Sequence, residues 1–300
     1  MTSPRPRLAC IGVGLMGGPM AARLVALGYP LCAFDIEASR LAAAISGGVT
    51  VAVSARDAIK GAEIIILNLP SERAVESVVE AIAKDLTGSQ LIIDFSTVSP
   101  NFSQRMSERV KKDRGRWIDA PVSGGPSASG SGALTIMAGG TSEAIERVRP
   151  LMADIGRQFT HAGDVGMGSA AKTIAQLIVG TNYAVLAEAV HLAESIGLDA
   201  ALLPECVRHG HADGVLMQQI YPRIVDHDFA PRAYARQLLK DLEAVQDIAR
   251  ASQAATPMSG QATQLFRLLI AAGHGDIDGA GIYRLYEGAT ANVRENERVG

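Results

Sequence analysis

A chain of 300 residues with 48% hydrophobic and 20% charged side chains has the apolar content to bury one or two cores, which excludes an intrinsically disordered chain. A formal net charge of −3 gives no electrostatic ground for nucleic acid or an anionic membrane as partner. Three scattered cysteines, Cys10, Cys32 and Cys206, exclude a disulfide framework or a cysteine-built zinc site.

The N-terminal residues 1–7 are basic, but the apolar run behind them is cut by glycines too early for a signal segment, so the expected location is cytoplasmic. Residues 8–11 read as a short buried strand and residues 19–26 as a helix. Between them Gly12, Gly14 and Gly17 give the spacing G-x-G-x-x-G. The first glycine permits a tight turn, the second lets a pyrophosphate approach bare backbone, and the third lets helix pack on strand. Free N–H groups at the helix start add a partial positive charge for phosphates. A second strand, residues 31–34, ends in Asp35, at roughly the 20-residue spacing where an acid reads the ribose hydroxyls. Its charge repels a 2′-phosphate and no arginine follows it directly, Arg40 being the nearest. The expected cofactor is therefore NAD, with NADP less favoured.

Residues 38–45 are expected to be helical, residues 49–51 to form a strand-like piece, and residues 54–58 to open a short helix. Residues 62–69 form a continuous β-branched run of the kind covered on both faces in a parallel sheet, stopped by Pro70 and Ser71. Helices at 75–83 and 102–113 alternate with strands at 90–96, 116–122 and 134–140. Over about 160 residues this alternation implies a doubly wound, mostly parallel sheet with ligands at the carboxyl ends of its strands. From about His161 no strong strand candidate follows. Helices are expected at 169–196, capped by Gly197, and at 200–208, 218–225, 234–251, 257–272 and 279–286. The apolar stretch 173–187 carries Gln176, Thr181 and Asn182, falls short of the roughly 20 apolar residues of a span, and reads as a buried helix. The expected domains are 1–164 and 165–300.

Two further stretches offer chemistry. Ser123, Gly124 and Gly125 follow Asp119-Ala120-Pro121-Val122 and present a hydroxyl and unhindered backbone N–H groups that suit a carboxylate. The same small residues also suit a flexible surface loop, and their identity leaves both readings open. Lys172, four residues after Gly168, stands in an apolar helix start. Buried, it would have a lowered pKa fit for proton transfer; otherwise its ammonium snorkels to solvent. Gln176 lies one turn further on the same face. The six histidines form no ligand pattern, so no metal is expected.

Taken together, Gly12-Val13-Gly14-Leu15-Met16-Gly17, Asp119-Ala120-Pro121-Val122-Ser123-Gly124-Gly125, Gly166-x-Gly168-x-x-x-Lys172 and Lys240-Asp241-Leu242 resemble the motifs of the β-hydroxyacid dehydrogenases. The resemblance implies an α/β Rossmann-type domain, a long interdomain helix, an all-α C-terminal domain that also builds a homodimer or homotetramer, and an active site in the cleft. It makes Lys172 the general acid/base and gives Ser123, Gly124, Gly125 and Gln176 to a small hydroxy-acid substrate. Gly12, Gly14, Leu15, Met16, Gly17, Asp35, Leu69, Pro70, Thr97 and Lys240 would bind the cofactor. The family places asparagine one turn after the lysine, and often another just before it, where this chain has Ala175-Gln176. That departure bears on the substrate, and it keeps in view an imine reductase of the same architecture or a catalytically silent NAD-binding module.

Overall fold

In the computed structural model, which describes residues 5–287, the chain divides into two compact units, Met1–Lys172 and Thr173–Gly300. Of the basic N-terminal stretch read above, residues 1–4 lie outside the described residues.

The first unit begins with β1 (Leu8–Ile11), α1 (Gly17–Ala26), β2 (Leu31–Phe34), α2 (Ala38–Ser46), β3 (Thr50–Val51), α3 (Ala55–Ala58), β4 (Ile64–Leu67) and α4 (Glu72–Ile82). It continues through β5 (Leu91–Asp94), α5 (Pro100–Lys112), β6 (Arg116–Asp119), β7 (Val122–Ser123), α6 (Gly125–Ser131), β8 (Leu134–Gly139), α7 (Ser142–Ile155) and β9 (Gly156–Gly163). The strands form one sheet in the order β3-β2-β1-β4-β5-β6-β8-β7, with β9 paired to β8. Pairing is parallel from β3 through β6. The order reverses between β1 and β4, and a crevice opens at such a switch point beyond the carboxyl ends of the strands.

The apolar runs are continuous because both faces are covered. Cys10, Ile66, Ile93 and Ile118 pack into one buried layer, while Ile11, Ile65, Ile92 and Trp117 pack into the other, as alternation along each strand requires. Burying each isoleucine in this way is worth about 1.5–3 kcal/mol. Helix starts follow their caps: Ser71 accepts the Ala74 N–H, Ser99 the Phe102 N–H and Thr141 the Ala144 N–H.

The structure differs from the sequence reading in several places. The expected helix 218–225 is two short helices, Val215–Gln219 and Tyr221–Val225, residues 200–206 begin as a 3-10 turn, and Gly279–Leu285 is 3-10 throughout. The run 116–122 is two strands, because Ala120 and Pro121 separate β6 from β7, and β7 and β8 run antiparallel. The small residues after Ser123 are a helix, α6, started by Gly124 at φ +126° and stopped by Gly132 at φ +75°, not a flexible loop. Strand β9 was not expected: most of its residues are exposed, so it has no alternating apolar signal.

The long helix α8 (Met167–Ser195) carries the division between the units inside it. By length and composition alone it could cross a membrane, being longer than the apolar stretch 173–187 suggested. In the second unit its residues Tyr183, Leu186 and Val190 belong to the core, as the buried-helix reading requires. That unit holds α9 (Leu203–Cys206), α10 (Val215–Gln219), α11 (Tyr221–Val225), α12 (Ala235–Ser252), α13 (Pro257–Ala271) and 3-10 turns at Ala200–Leu202 and Gly279–Leu285. Gly180 brings α8 onto α12, since a Cβ there would stand 2.8 Å from Leu242. Buried Asp278 ties the loops together, accepting from Arg223 Nη1 at 3.1 Å and from the N–H groups of Arg232, Ala233 and Ala280.

Candidate functional site

The glycine turn between β1 and α1 shows a division of labour. Gly12 has φ +92°, and a Cβ on it would stand 2.3 Å from Asn68 O; a Cβ on Gly17 would stand 1.9 Å from Gly12 O. Both glycines are required by the chain's own packing. A Cβ on Gly14 would meet nothing closer than the Arg40 guanidinium at 3.8 Å. Gly14 is therefore bare toward open space, where the motif needs a phosphate to approach. No acidic residue stands in the first turn of α1, so nothing there competes with an anion for the helix N-terminus. Leu15 is exposed and Met16 half-buried. The residues present fit a dinucleotide.

Asp35 follows β2 at the same edge of the sheet. Its carboxylate is only 5% exposed and accepts the Val13 N–H at 2.9 Å on one oxygen and the Glu37 N–H at 2.9 Å on the other. Arg40 Nη1 lies 3.5 Å away. The sequence placed this acid but not its first task, which is to brace the glycine turn. Its charge still faces that turn. Asp35→Asn is expected to raise the use of NADP relative to NAD by roughly tenfold or more, since like charges brought together cost several kcal/mol. The kcat/KM ratio for the two cofactors reads this, and an unchanged ratio would remove Asp35 from cofactor choice.

Beyond β4, Leu69 is half-buried and Pro70 exposed. The Leu69 N–H donates to Ser96 Oγ at 2.9 Å, which fixes the loop before Pro70 on the loop that carries exposed Thr97. Helix α6 packs against α1, and Ser129 Oγ donates to Met16 O at 2.7 Å. The stretch that starts with exposed Ser123 and Gly124 is thus fastened to the glycine turn. Ser129 was not singled out from the sequence; a lone serine in a run of small residues carries no signal.

Two buried carboxyls close the edge. Asp94 and Asp119 are register partners at the ends of β5 and β6, about 4.8 Å apart along the hydrogen-bonding direction, and neither is exposed. Asp94 accepts the Ser96 N–H at 2.9 Å, and its Oδ2 has no hydrogen-bond partner. Burial pushes its pKa up to about 7, helped by the charge of Asp119 and opposed by Ser96. Asp119 is likewise raised by burial, against the N–H groups that it accepts. A carboxyl whose pKa is raised on folding gives stability that is fully present below its unfolded value near 4 and is lost as pH rises toward 7. Asp94→Asn is therefore expected to flatten the fall in Tm between pH 5 and pH 8; a wild-type slope in the variant would show that Asp94 does not titrate there.

Asp119 accepts the Gly166 N–H on one oxygen and the Ser169 N–H on the other, both at 2.7 Å. These are the first turn of α8, and Lys172, 8% exposed, follows one turn later. At that exposure Lys172 is buried as a residue and does not stand out into solvent along its length. Gln176 and Lys240 belong to the second unit. There Gln176 Nε2 donates to Asp241 Oδ2 at 2.5 Å and Lys240 Nζ lies 3.7 Å from Asp241 Oδ1. Asp241 organises both, which the motif Lys240-Asp241-Leu242 hinted at without giving the contact. Among the described residues no group of three or more His, Cys, Asp or Glu could hold a metal ion.

Residues 7–163 match the NAD binding domain of 6-phosphogluconate dehydrogenase, and residues 166–286 match the NAD-binding domain of NADP-dependent 3-hydroxyisobutyrate dehydrogenase. The chain is similar to an NAD-dependent L-serine dehydrogenase of Pseudomonas aeruginosa, 34% identical over 94% of this chain and 98% of that protein. A 3-hydroxyisobutyrate dehydrogenase of the same organism is 33% identical over 94% and 98%. The structure of Mycobacterium tuberculosis 3-hydroxyisobutyrate dehydrogenase with L-serine superposes with a TM-score of 0.88 at 27% identity, covering 95% of this chain and all of that one.

Proposed function

Because the chain belongs to the β-hydroxyacid dehydrogenase family, we propose that this NAD-dependent oxidoreductase acts on a three- or four-carbon 3-hydroxy acid of the L-serine and 3-hydroxyisobutyrate kind. The observation that carries the reading is Lys172: a buried amine one turn into a helix whose start is pinned at the strand ends, on the edge that bears the glycine turn.

Bound NAD supplies the hydride acceptor. Gly14 leaves room for its pyrophosphate, and Leu69, Pro70 and Thr97 line its site. The Ser123 hydroxyl and the N–H groups of Gly124 and Gly125 hold the substrate carboxylate, which fixes the carbinol carbon. Gly124 and Gly125 both have positive φ, +126° and +71°, so side chains there would strain the turn. Neutral Lys172 takes the hydroxyl proton while the carbinol C–H leaves as hydride. The alcohol would become a carbonyl as its two electrons leave with the hydride, and the hydroxyl proton would stay on Lys172 until it passes to water. In reduction the ammonium returns it.

The similarity to an L-serine dehydrogenase supports a short substrate, and Gln176 in place of asparagine lengthens that side chain by one methylene. We include self-association in the proposal, supported by Ile174, Ile178, Val185 and Leu192, all exposed along α8, and by exposed Ile196 just after it. Formation of NADH with L-serine, 3-hydroxyisobutyrate, L-threonate and glycerate tests the reading, with cyclic imines and NADPH as the opposing arm. Turnover of imines alone would replace it with the imine reductase.

A further inference from the structure

The lysine needs a fixed place, and the group that fastens its helix is none of those given above to substrate or cofactor. The first turn of α8 sits in a knot of backbone. A Cβ on Gly168 would stand 2.5 Å from Met137 O, 2.6 Å from Asp119 O and 2.7 Å from Gly139 N. A Cβ on Gly139 would stand 2.6 Å from Asp119 Oδ1 and 2.8 Å from Gly168 N. Gly166 turns the chain into this seat at φ +95°, and Ser103 Oγ meets Ser169 Oγ at 3.2 Å from the side of α5. At the centre is the Asp119 carboxylate, holding one backbone N–H of the turn on each oxygen. Local capping residues normally come from the chain just before a helix. Here the cap comes from the end of a strand 47 residues earlier, so it ties the helix to the sheet and not merely to its own approach.

On the reading of Lys172 given above, we infer that Asp119 is a positioning residue for proton transfer: it fixes the register of α8 on the end of β6 and thereby the place of the Lys172 amine. It touches neither substrate nor cofactor. Asparagine at 119 keeps the shape but turns one acceptor into a donor facing a backbone N–H, which pushes that N–H away.

The test uses the full chain. Asp119→Asn is expected to lower kcat by about 10- to 100-fold, as small misplacements of a catalytic group do, while the NADH dissociation constant and the substrate KM stay within twofold of wild type. Asp119→Ala, which removes the acceptor without setting a donor against the two N–H groups, is expected to give the same split and carries the test if Asp119→Asn does not fold. Unchanged kcat in a variant that binds NADH normally overturns the inference. Loss of NADH binding in step with kcat in both variants also overturns it, because the seat then serves the fold as a whole. Lys172→Ala separates the two levels: an active Lys172→Ala defeats the functional reading, whereas an inactive Lys172→Ala beside a fully active Asp119→Asn defeats only this inference.

Discussion

Lys172→Ala is expected to lower the oxidation of any accepted hydroxy acid by about 10²- to 10⁴-fold, the usual contribution of a positioned acid or base, while leaving NADH binding intact. The separation follows from the fold. The glycine turn is braced by Asp35 through Val13 and Glu37 and by the close packing of Gly12 and Gly17, none of which involves residue 172. Cutting the side chain back removes a long amine from a buried position and leaves the helix start in place, since Asp119 holds backbone N–H groups of residues 166 and 169. Stopped-flow fluorescence of NADH binding beside steady-state turnover reads both halves. Turnover within about tenfold of wild type would remove Lys172 from the chemistry, since that is less than such a group contributes.

The second large effect concerns two glycines that sequence alone treats alike. Gly17→Ala forces a methyl to 1.9 Å from Gly12 O and 3.1 Å from Asn68 Cβ, against backbone that cannot move without opening the turn. It should destabilise the first unit by about 3 kcal/mol or more, at the upper end of overpacking costs, and NADH binding should go with it. Gly14→Ala meets only a half-exposed arginine at 3.8 Å, so its Tm should match wild type. Its methyl occupies the approach of the pyrophosphate, and NADH should bind roughly 10- to 100-fold more weakly, the equivalent of about 1–3 kcal/mol. Calorimetry and NADH titration on the pair check this. A Gly14→Ala variant with normal affinity would place the phosphates elsewhere.

The parallel half of the sheet was legible because burial on both faces demands continuous β-branched and apolar runs such as Ile64-Ile65-Ile66-Leu67. Its far edge was not. β7 and β9 are half-exposed or exposed, and α6 is built from Gly, Pro, Ser and Ala, whose helical preferences are weak or mixed; packing against α1 decides its conformation, not propensity. In the candidate site, residue types suited to a ligand could be read from motif and spacing, and Gly14, Asp35, Ser123 and Lys172 were singled out in that way. The residues that hold those in place could not. Asp119, Ser129 and Ser96 act through backbone groups distant in the chain, and no local pattern records which N–H a carboxylate or hydroxyl will meet. Asp35 was readable from its spacing as a candidate ligand acid, while its contacts to the Val13 and Glu37 N–H groups were not.

The central claim is that hydride leaves the carbinol carbon of a small β-hydroxy acid as Lys172 takes the hydroxyl proton. Oxidation of an accepted acid carrying deuterium at that carbon, followed by mass analysis of the reduced nicotinamide, tests it most directly. The account predicts one deuterium in each cofactor reduced, slower turnover than with the protiated acid when chemistry limits the rate, and one proton released to the medium. Reduced cofactor without deuterium, with the label found in water, would contradict it.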